Sequence, residues 1–179
     1  MLTTWLRHRW FVLAKRQTMP TVLDAGALHL AGQLTQPTLI TPHAGELAKL
    51  LKSRGVQVSA EAIEGDPRKW VQIASDTLKV TVLLKGAITF VADSEQLIEL
   101  PKATPWLATA GTGDVLAGIV AALVATNEVE ILNDASTLAR IAASAAFIHN
   151  AAALEASDGG PITATQIPRF IPQIIKEFI

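Results

Sequence analysis

Three short segments of this sequence hold residue types suited to phosphate chemistry. Thr109-Ala110-Gly111-Thr112-Gly113-Asp114 stands directly before an apolar helical run that starts at Val115. Two glycines let backbone N–H groups point inward without side-chain obstruction, and a helix N-terminus adds partial positive charge, so Gly111, Thr112 and Gly113 suit a phosphate oxyanion. A carboxylate beside such a nest repels the ligand unless it takes part, for example by accepting the proton of a hydroxyl that attacks phosphorus. Asp114 is therefore the candidate base, its plainer alternative being an acidic helix cap. Lys85-Gly86-Ala87-Ile88-Thr89 ends the strongest strand signal. There Lys85 offers a polyphosphate a point charge and Gly86 permits close backbone approach, or the segment is an ordinary strand end with a turn glycine. In Thr41-Pro42-His43-Ala44-Gly45-Glu46, Pro42 fixes the strand exit, His43 donates or accepts near neutral pH, and Glu46 favours a helix start. His43 reads as a ligand contact or as a structural cap. Asp24, ending the run Thr21 to Leu23, is a weaker candidate of the same kind.

These segments need elements to position them, and strands alternating with helices supply them. Pro20–Asp24 and Pro37–Thr41 are short apolar strand patterns, followed by helical patterns over Ala25–Gln33 and Leu47–Lys52. Arg54–Val58 reads as a loop, and Ala60–Asp76 as helical with a break at Gly65-Asp66-Pro67. Lys79–Leu84 is apolar on both faces, as a buried parallel strand should be. Ile88–Ala92 and Gln96–Leu100, parted by Asp93-Ser94-Glu95, read as a hairpin or as two sheet-edge strands. Helices are expected over Val115–Thr126, over Asp134–Ala156 and after Thr163-Ala164-Thr165-Gln166, which has capping-box form with Ile162 and Ile167 as its staple. The order implies an α/β layered fold with a mainly parallel sheet, in which ligands bind where loops leave the carboxyl ends of strands. His149-Asn150, in an Ala-rich helical stretch, reads as a satisfied core polar pair.

The bulk properties narrow the partners. The chain has 179 residues, enough for one domain over 1–179, and half of them are apolar while 17% are charged. With 15 Lys+Arg against 16 Asp+Glu there is no cationic surplus for a phosphate backbone, which argues against nucleic acid and for small molecules. No Cys is present, which removes disulfides and thiolate sites and is compatible with a reducing cytoplasm. His8, His29, His43 and His149 lack zinc-like spacing, whereas magnesium held by water and phosphate oxygens needs no such signature. The longest apolar stretch, Val115–Ala125, is too short for a bilayer core needing roughly 20 residues. Met1–Arg16 reads as an amphipathic helix without a cleavage site.

Four ordered motifs resemble those of the ADP/ATP-dependent NAD(P)H-hydrate dehydratase family, which has a three-layer ribokinase-like fold. They are Val22-Leu23-Asp24-Ala25-Gly26-Ala27-Leu28, Leu39-Ile40-Thr41-Pro42-His43-Ala44-Gly45-Glu46, Val82-Leu83-Leu84-Lys85-Gly86-Ala87-Ile88-Thr89, and Trp106-Leu107-Ala108-Thr109-Ala110-Gly111-Thr112-Gly113-Asp114-Val115-Leu116-Ala117-Gly118. The resemblance runs from about Pro20 to Ile179. In that family a nucleotide phosphorylates the misplaced hydroxyl of a hydrated nicotinamide ring, in NADHX or NADPHX, and loss of phosphate restores the double bond. The resemblance implies that Asp114 is base and substrate contact, that His43 and Asp24 meet the hydrate, and that Lys85, Gly86, Ala87, Ile88 and Thr89 with Gly111, Thr112 and Gly113 hold the nucleotide. It also implies ADP in preference to ATP as phosphoryl donor, Mg2+, and a cytoplasmic setting.

Two departures from the family pattern stand out. Gly26 occupies a place where a second acid is usual, and only about twenty residues precede the first motif, where the family carries further strands and a Gly-rich substrate segment. The expected fold therefore lacks amino-terminal strands, and the exposed sheet edge with the apolar face of Met1–Arg16 favours a homo-oligomer. Two other functions fit the same loops: a ribokinase-like kinase of a small hydroxylated metabolite, and a noncatalytic remnant that binds nucleotide or assembles with other chains.

Overall fold

The computed structural model describes residues 11–178. Strands β1 (Thr21–Leu23), β2 (Thr38–Ile40) and β3 (Thr81–Leu84) run parallel, with Val22 beside Leu39 and Ile40 beside Val82. Strands β4 (Phe90–Ala92) and β5 (Leu97–Glu99) continue the sheet as an antiparallel hairpin, giving the order β1-β2-β3-β4-β5. The sheet is thus mixed, with a parallel half of three strands.

Side chains alternate across a strand, and here both faces are apolar, so the sheet separates two cores. Ile40, Val82, Leu84, Phe90 and Ala92 face one core with helices α1 (Ala44–Ser53), α2 (Ala60–Gly65) and α3 (Pro67–Leu78). Leu39, Leu83 and Val91 face the other, covered by α4 (Thr112–Thr126) and α6 (Thr137–Ser157). The result is the expected three-layer α/β arrangement. Leu116, Val120 and Val124 recur every four residues to form the buried stripe of α4, and the buried Ala139, Ala142, Ala145 and Ala146 let α6 approach closely.

The element ends follow local chemistry. Ser59 and Asp66 cap α2 and α3 by accepting from the Ala62 and Lys69 amides, and Pro67 opens α3, so the break expected at 65–67 falls between two capped helices. β3 begins at Thr81 rather than Lys79 because Lys79 ends α3 in the left-handed region, at φ 56°. The pattern over Ala25–Gln33 is a 3-10 helix, Ala25–Leu30. The helix expected from Asp134 starts at Thr137, preceded by a separate short helix α5 (Glu128–Asn133). Asp134 turns the chain between them, its Oδ1 accepting from the Ser136 amide at 3.0 Å and the Ser136 hydroxyl at 2.7 Å. The Thr163/Gln166 capping box is present, and Ile162 and Ile167 are buried in one small cluster. The helix it starts is a 3-10 segment, Ala164–Arg169, containing Pro168, after which α7 (Ile171–Lys176) follows. Of the helix expected over Met1–Arg16, residues 1–10 lie outside the described residues and 11–14 are helical. Among the described residues no helix is long and apolar enough to cross a membrane.

Candidate functional site

Parallel pairing places the carboxyl ends of β1, β2 and β3 side by side, so the residues that follow them meet although 61 positions separate Asp24 from Lys85. The Lys85 amide donates to the Pro42 carbonyl at 2.8 Å, and His43 and Lys85 form a parallel bridge that prolongs the pairing of β2 with β3. Asp24 Oδ1 accepts from the Thr41 hydroxyl at 2.6 Å and from Lys85 Nζ at 3.1 Å. Both charged side chains are about four-fifths buried, so the pair is weakly screened and holds Lys85 in one place. Thr41 was not singled out in the sequence as a site residue. A hydroxyl residue closing a buried strand is the available signal, but its partner lies 17 positions away and is invisible in one dimension.

The second half of the site is the start of α4. Gly111 is its N-cap at φ +89°, a left-handed conformation that glycine alone adopts freely. The Thr112 hydroxyl donates to the Leu107 and Thr109 carbonyls, at 2.7 and 2.9 Å, and so ties the turn to the 3-10 segment Pro105–Leu107. The Gly113 and Asp114 amides have no protein acceptor among the described residues, the ordinary condition of a helix first turn. A Cβ on Gly113 would lie 3.6 Å from Lys85 Nζ, which puts the ammonium against the Gly113 backbone. Two free amides, a helix N-terminus and one cation thus converge. Asp114 is exposed and its side chain makes no capping hydrogen bond, so the geometry does not use it as a helix cap.

The remaining sequence candidates divide. His43 is the N-cap of α1: its Nδ1 accepts from the Gly45 amide at 3.1 Å, and Glu46 accepts from the His43 amide at 3.0 Å. That leaves Nε2, 3.5 Å from the same Glu46 carboxylate, on an exposed edge. Gly86 and Ala87 are exposed beyond β3, whereas Ile88 packs against the first core and Thr89 is buried, its carbonyl accepting from the Leu100 amide. The structure therefore brings Lys85, Asp24, Gly113 and, through its neighbour, Asp114 together, and turns Ile88 and Thr89 into the protein.

His149 and Asn150 correct the expectation of a satisfied pair. Both sit in the described interior, but His149 Nε2 and Asn150 Nδ2 lack hydrogen-bond partners. Burial pushes the His149 imidazole below its usual range, opposed in part by the Thr112 backbone and the Asn150 side chain beside it.

Among the described residues no group of three or more His, Cys, Asp or Glu could hold a metal ion. Asp24 and Asp114 offer at most one carboxylate each. That donor set suits magnesium carried in by phosphate oxygens and does not make a protein cage.

The sequence model of the family described as NAD(P)H-hydrate dehydratase matches residues 4–173. The chain belongs to this family. Similar curated members include the bifunctional NAD(P)H-hydrate repair enzyme Nnr of Mycobacterium leprae, 37% identical over 162 residues, covering 85% of this chain and 30% of that protein. The ADP-dependent (S)-NAD(P)H-hydrate dehydratase of Cenarchaeum symbiosum is 33% identical over 161 residues, covering 87% of this chain and 52% of that protein. Among solved structures, the ADP/ATP-dependent NAD(P)H-hydrate dehydratase of Bacillus subtilis co-crystallized with ATP/Mg2+ superposes with a TM-score of 0.75 at 23% identity, covering 92% of this chain and 57% of that one. That likeness establishes the ribokinase-like fold. The chain spans about half the length of the archaeal dehydratase and under a third of the mycobacterial enzyme.

Proposed function

We propose that this chain carries the nucleotide-binding and base-bearing part of an ADP-dependent dehydratase acting on NADHX and NADPHX. The observation that supports it most is the uncapped Asp114 carboxylate beside two free amides and Lys85, at the carboxyl ends of three parallel strands. Anionic phosphate is drawn there by the amides and the ammonium, while Asp114 has no structural bond to give up. In this reading the Gly113 and Asp114 amides and Lys85 hold the terminal phosphate of ADP. Asp114 accepts the proton of the ring hydroxyl as its oxygen bonds to that phosphorus, the bond to the bridging oxygen breaks, and AMP leaves. The phosphate then departs with its bonding pair, a proton leaves the neighbouring ring carbon, and the double bond of NADH or NADPH returns. Magnesium, carried on the nucleotide, supplies neutralisation of phosphate charge. His43 Nε2 and Asp24 are the hydrate contacts of this reading, Asp24 acting also through Lys85. The name of the archaeal member favours ADP over ATP, and a cytoplasmic setting goes with a soluble cofactor.

The same nest and carboxylate would serve a kinase of a small hydroxylated metabolite, because both reactions begin with a hydroxyl attacking phosphorus. Incubation with ADP, magnesium and NADHX, followed by NADH absorbance, separates the two. Appearance of NADH in proportion to AMP supports the proposal. Phosphorylation of a thiazole or pyrimidine alcohol without turnover of NADHX contradicts it.

A homo-oligomer belongs to the same proposal. Among the described residues β1 pairs only with β2, and Val129, Leu154 and Phe178 are exposed. A concentration-dependent mass above 19.0 kDa is expected by light scattering, and a monomer throughout the micromolar range would contradict it.

A further inference from the structure

His43 caps α1 in a way that fixes more than the helix start. Its Nδ1 accepts from the Gly45 amide at 3.1 Å, and a ring nitrogen that accepts from an N–H carries no proton of its own. In the neutral imidazole the single proton is then on Nε2. Glu46 points the same way. Its Oε2, already accepting from the His43 amide at 3.0 Å, lies 3.5 Å from Nε2, where a carboxylate attracts a ring proton and repels a lone pair. The other tautomer would set two N–H groups against each other at Gly45 and a lone pair against Glu46. The ring turned over would present Cδ2 to the Gly45 amide and Cε1 to the carboxylate, losing both contacts. The residue type at 45 fits the same arrangement. A Cβ there would stand 3.0 Å from His43 Cε1 and 3.3 Å from Nδ1, so a side chain would push the ring from its place. The Gly45 backbone is helical and needs no left-handed freedom, and alanine is the better helix former, so the ring accounts for the missing Cβ.

We propose that Gly45 and Glu46 are positioning residues that hold His43 as its Nε2–H tautomer, so that His43 meets substrate as a hydrogen-bond donor and leaves proton acceptance to Asp114. The ring is exposed, and the parallel bridge to Lys85 sets His43 beside the cation of the phosphate site. At 3.5 Å the Glu46 carboxylate orients the Nε2 proton without consuming it in a full hydrogen bond, which leaves the N–H to give to a ligand. The same carboxylate opposes an anionic oxygen. The acceptor is therefore a neutral oxygen, a hydroxyl or an amide carbonyl, rather than a phosphate. The identity of that ligand rests on the function proposed above; the tautomer does not.

Nitrogen NMR of the ligand-free chain, recorded above the ordinary titration range of histidine, tests the tautomer. The His43 signals, assigned by their loss in His43→Asn, should show a protonated Nε2 and a bare Nδ1. Gly45→Ala should keep α1 helical and the melting temperature level or raised, yet shift the ring toward a mixture of tautomers. A bare Nε2 in the wild type, or unaltered ring signals in Gly45→Ala, overturns the proposal. Binding tests the donor. His43→Asn keeps an acceptor for the Gly45 amide, asparagine being a strong N-cap, but ends short of the Nε2 position. By calorimetry without nucleotide, so that no turnover is needed, its affinity for NADHX should fall roughly three- to tenfold, the range of one neutral hydrogen bond. ADP affinity should stay level. His43→Gln, whose amide N–H reaches the Nε2 position, should recover most of the NADHX affinity. Unaltered NADHX affinity in His43→Asn, or a loss of ADP affinity in its place, overturns the donor role. NADH, which lacks the added hydroxyl, identifies the acceptor: affinity kept in His43→Asn assigns the ring hydroxyl, and an equal loss assigns the carboxamide carbonyl. A wild-type chain that binds neither NADHX nor ADP counts against the proposed function, while the nitrogen spectrum still decides the tautomer.

Discussion

Asp24 and Lys85 form a largely buried ion pair inside the candidate site, and each residue has two roles that a single substitution separates. If Asp24 chiefly holds Lys85, Asp24→Asn keeps the hydrogen bond from Thr41 but leaves the ammonium without its counter-charge. We expect a loss of about 1–2 kcal/mol of stability by denaturant titration, because a largely buried charge has lost its partner. ADP affinity should tighten a few-fold, since the net positive potential over the Gly113 backbone rises. If Asp24 chiefly contacts the hydrate, KM for NADHX rises instead and ADP affinity is unchanged. The sequence showed the chemical types at this scale but not the pairing. Asp24 read as a weak isolated acid and Lys85 as a lone phosphate ligand; only the parallel register of β1, β2 and β3 makes them partners. His43 shows the reverse limitation, for its capping role is set locally by Gly45 and Glu46 and was legible as an alternative from those residues.

At the scale of elements, the two glycines of the α4 turn serve different ends and should respond differently to a methyl group. Gly111 adopts φ +89° and has Ala164 Cβ in the way, so Gly111→Ala should cost about 1–2 kcal/mol and lower the melting temperature. Gly113 is helical and a Cβ there meets only the flexible end of Lys85 at 3.6 Å. Gly113→Ala should leave the melting temperature level or slightly raised, since alanine is the better helix former by up to about 1 kcal/mol. Its ADP affinity should nonetheless fall at least about tenfold, because the methyl stands where phosphate approaches the amides. Equal thermal losses in both variants would contradict this division. Elements with caps were readable: the Asp66-Pro67 break and the Thr163/Gln166 box both appear where their residues place them. Missed features were those decided by a turn competing with a periodic pattern. The Asp134 turn delayed the helix expected from that residue to Thr137, with the unexpected α5 before it, and Lys79 delayed the start of β3.

For the whole molecule, the alternation of strands and helices sufficed for the layered architecture, because each strand carries apolar residues to both faces and must be covered twice. What it could not show is that His149 Nε2 and Asn150 Nδ2 on α6 are buried without hydrogen-bond partners, since that depends on how the helices pack around them. The architecture puts every proposed phosphate contact at one end of the sheet and a single uncommitted carboxylate beside them, and the proposed function turns on that carboxylate. Turnover of NADHX with ADP by Asp114→Asn, compared with wild type and with ADP affinity measured on the same samples, tests it most directly. The substitution keeps size and removes the proton acceptor, so NADH formation should fall by roughly 10²–10⁴-fold while ADP binds as well or slightly better, a negative charge having left the nest. Near wild-type turnover in Asp114→Asn would contradict the assignment of Asp114 as the base.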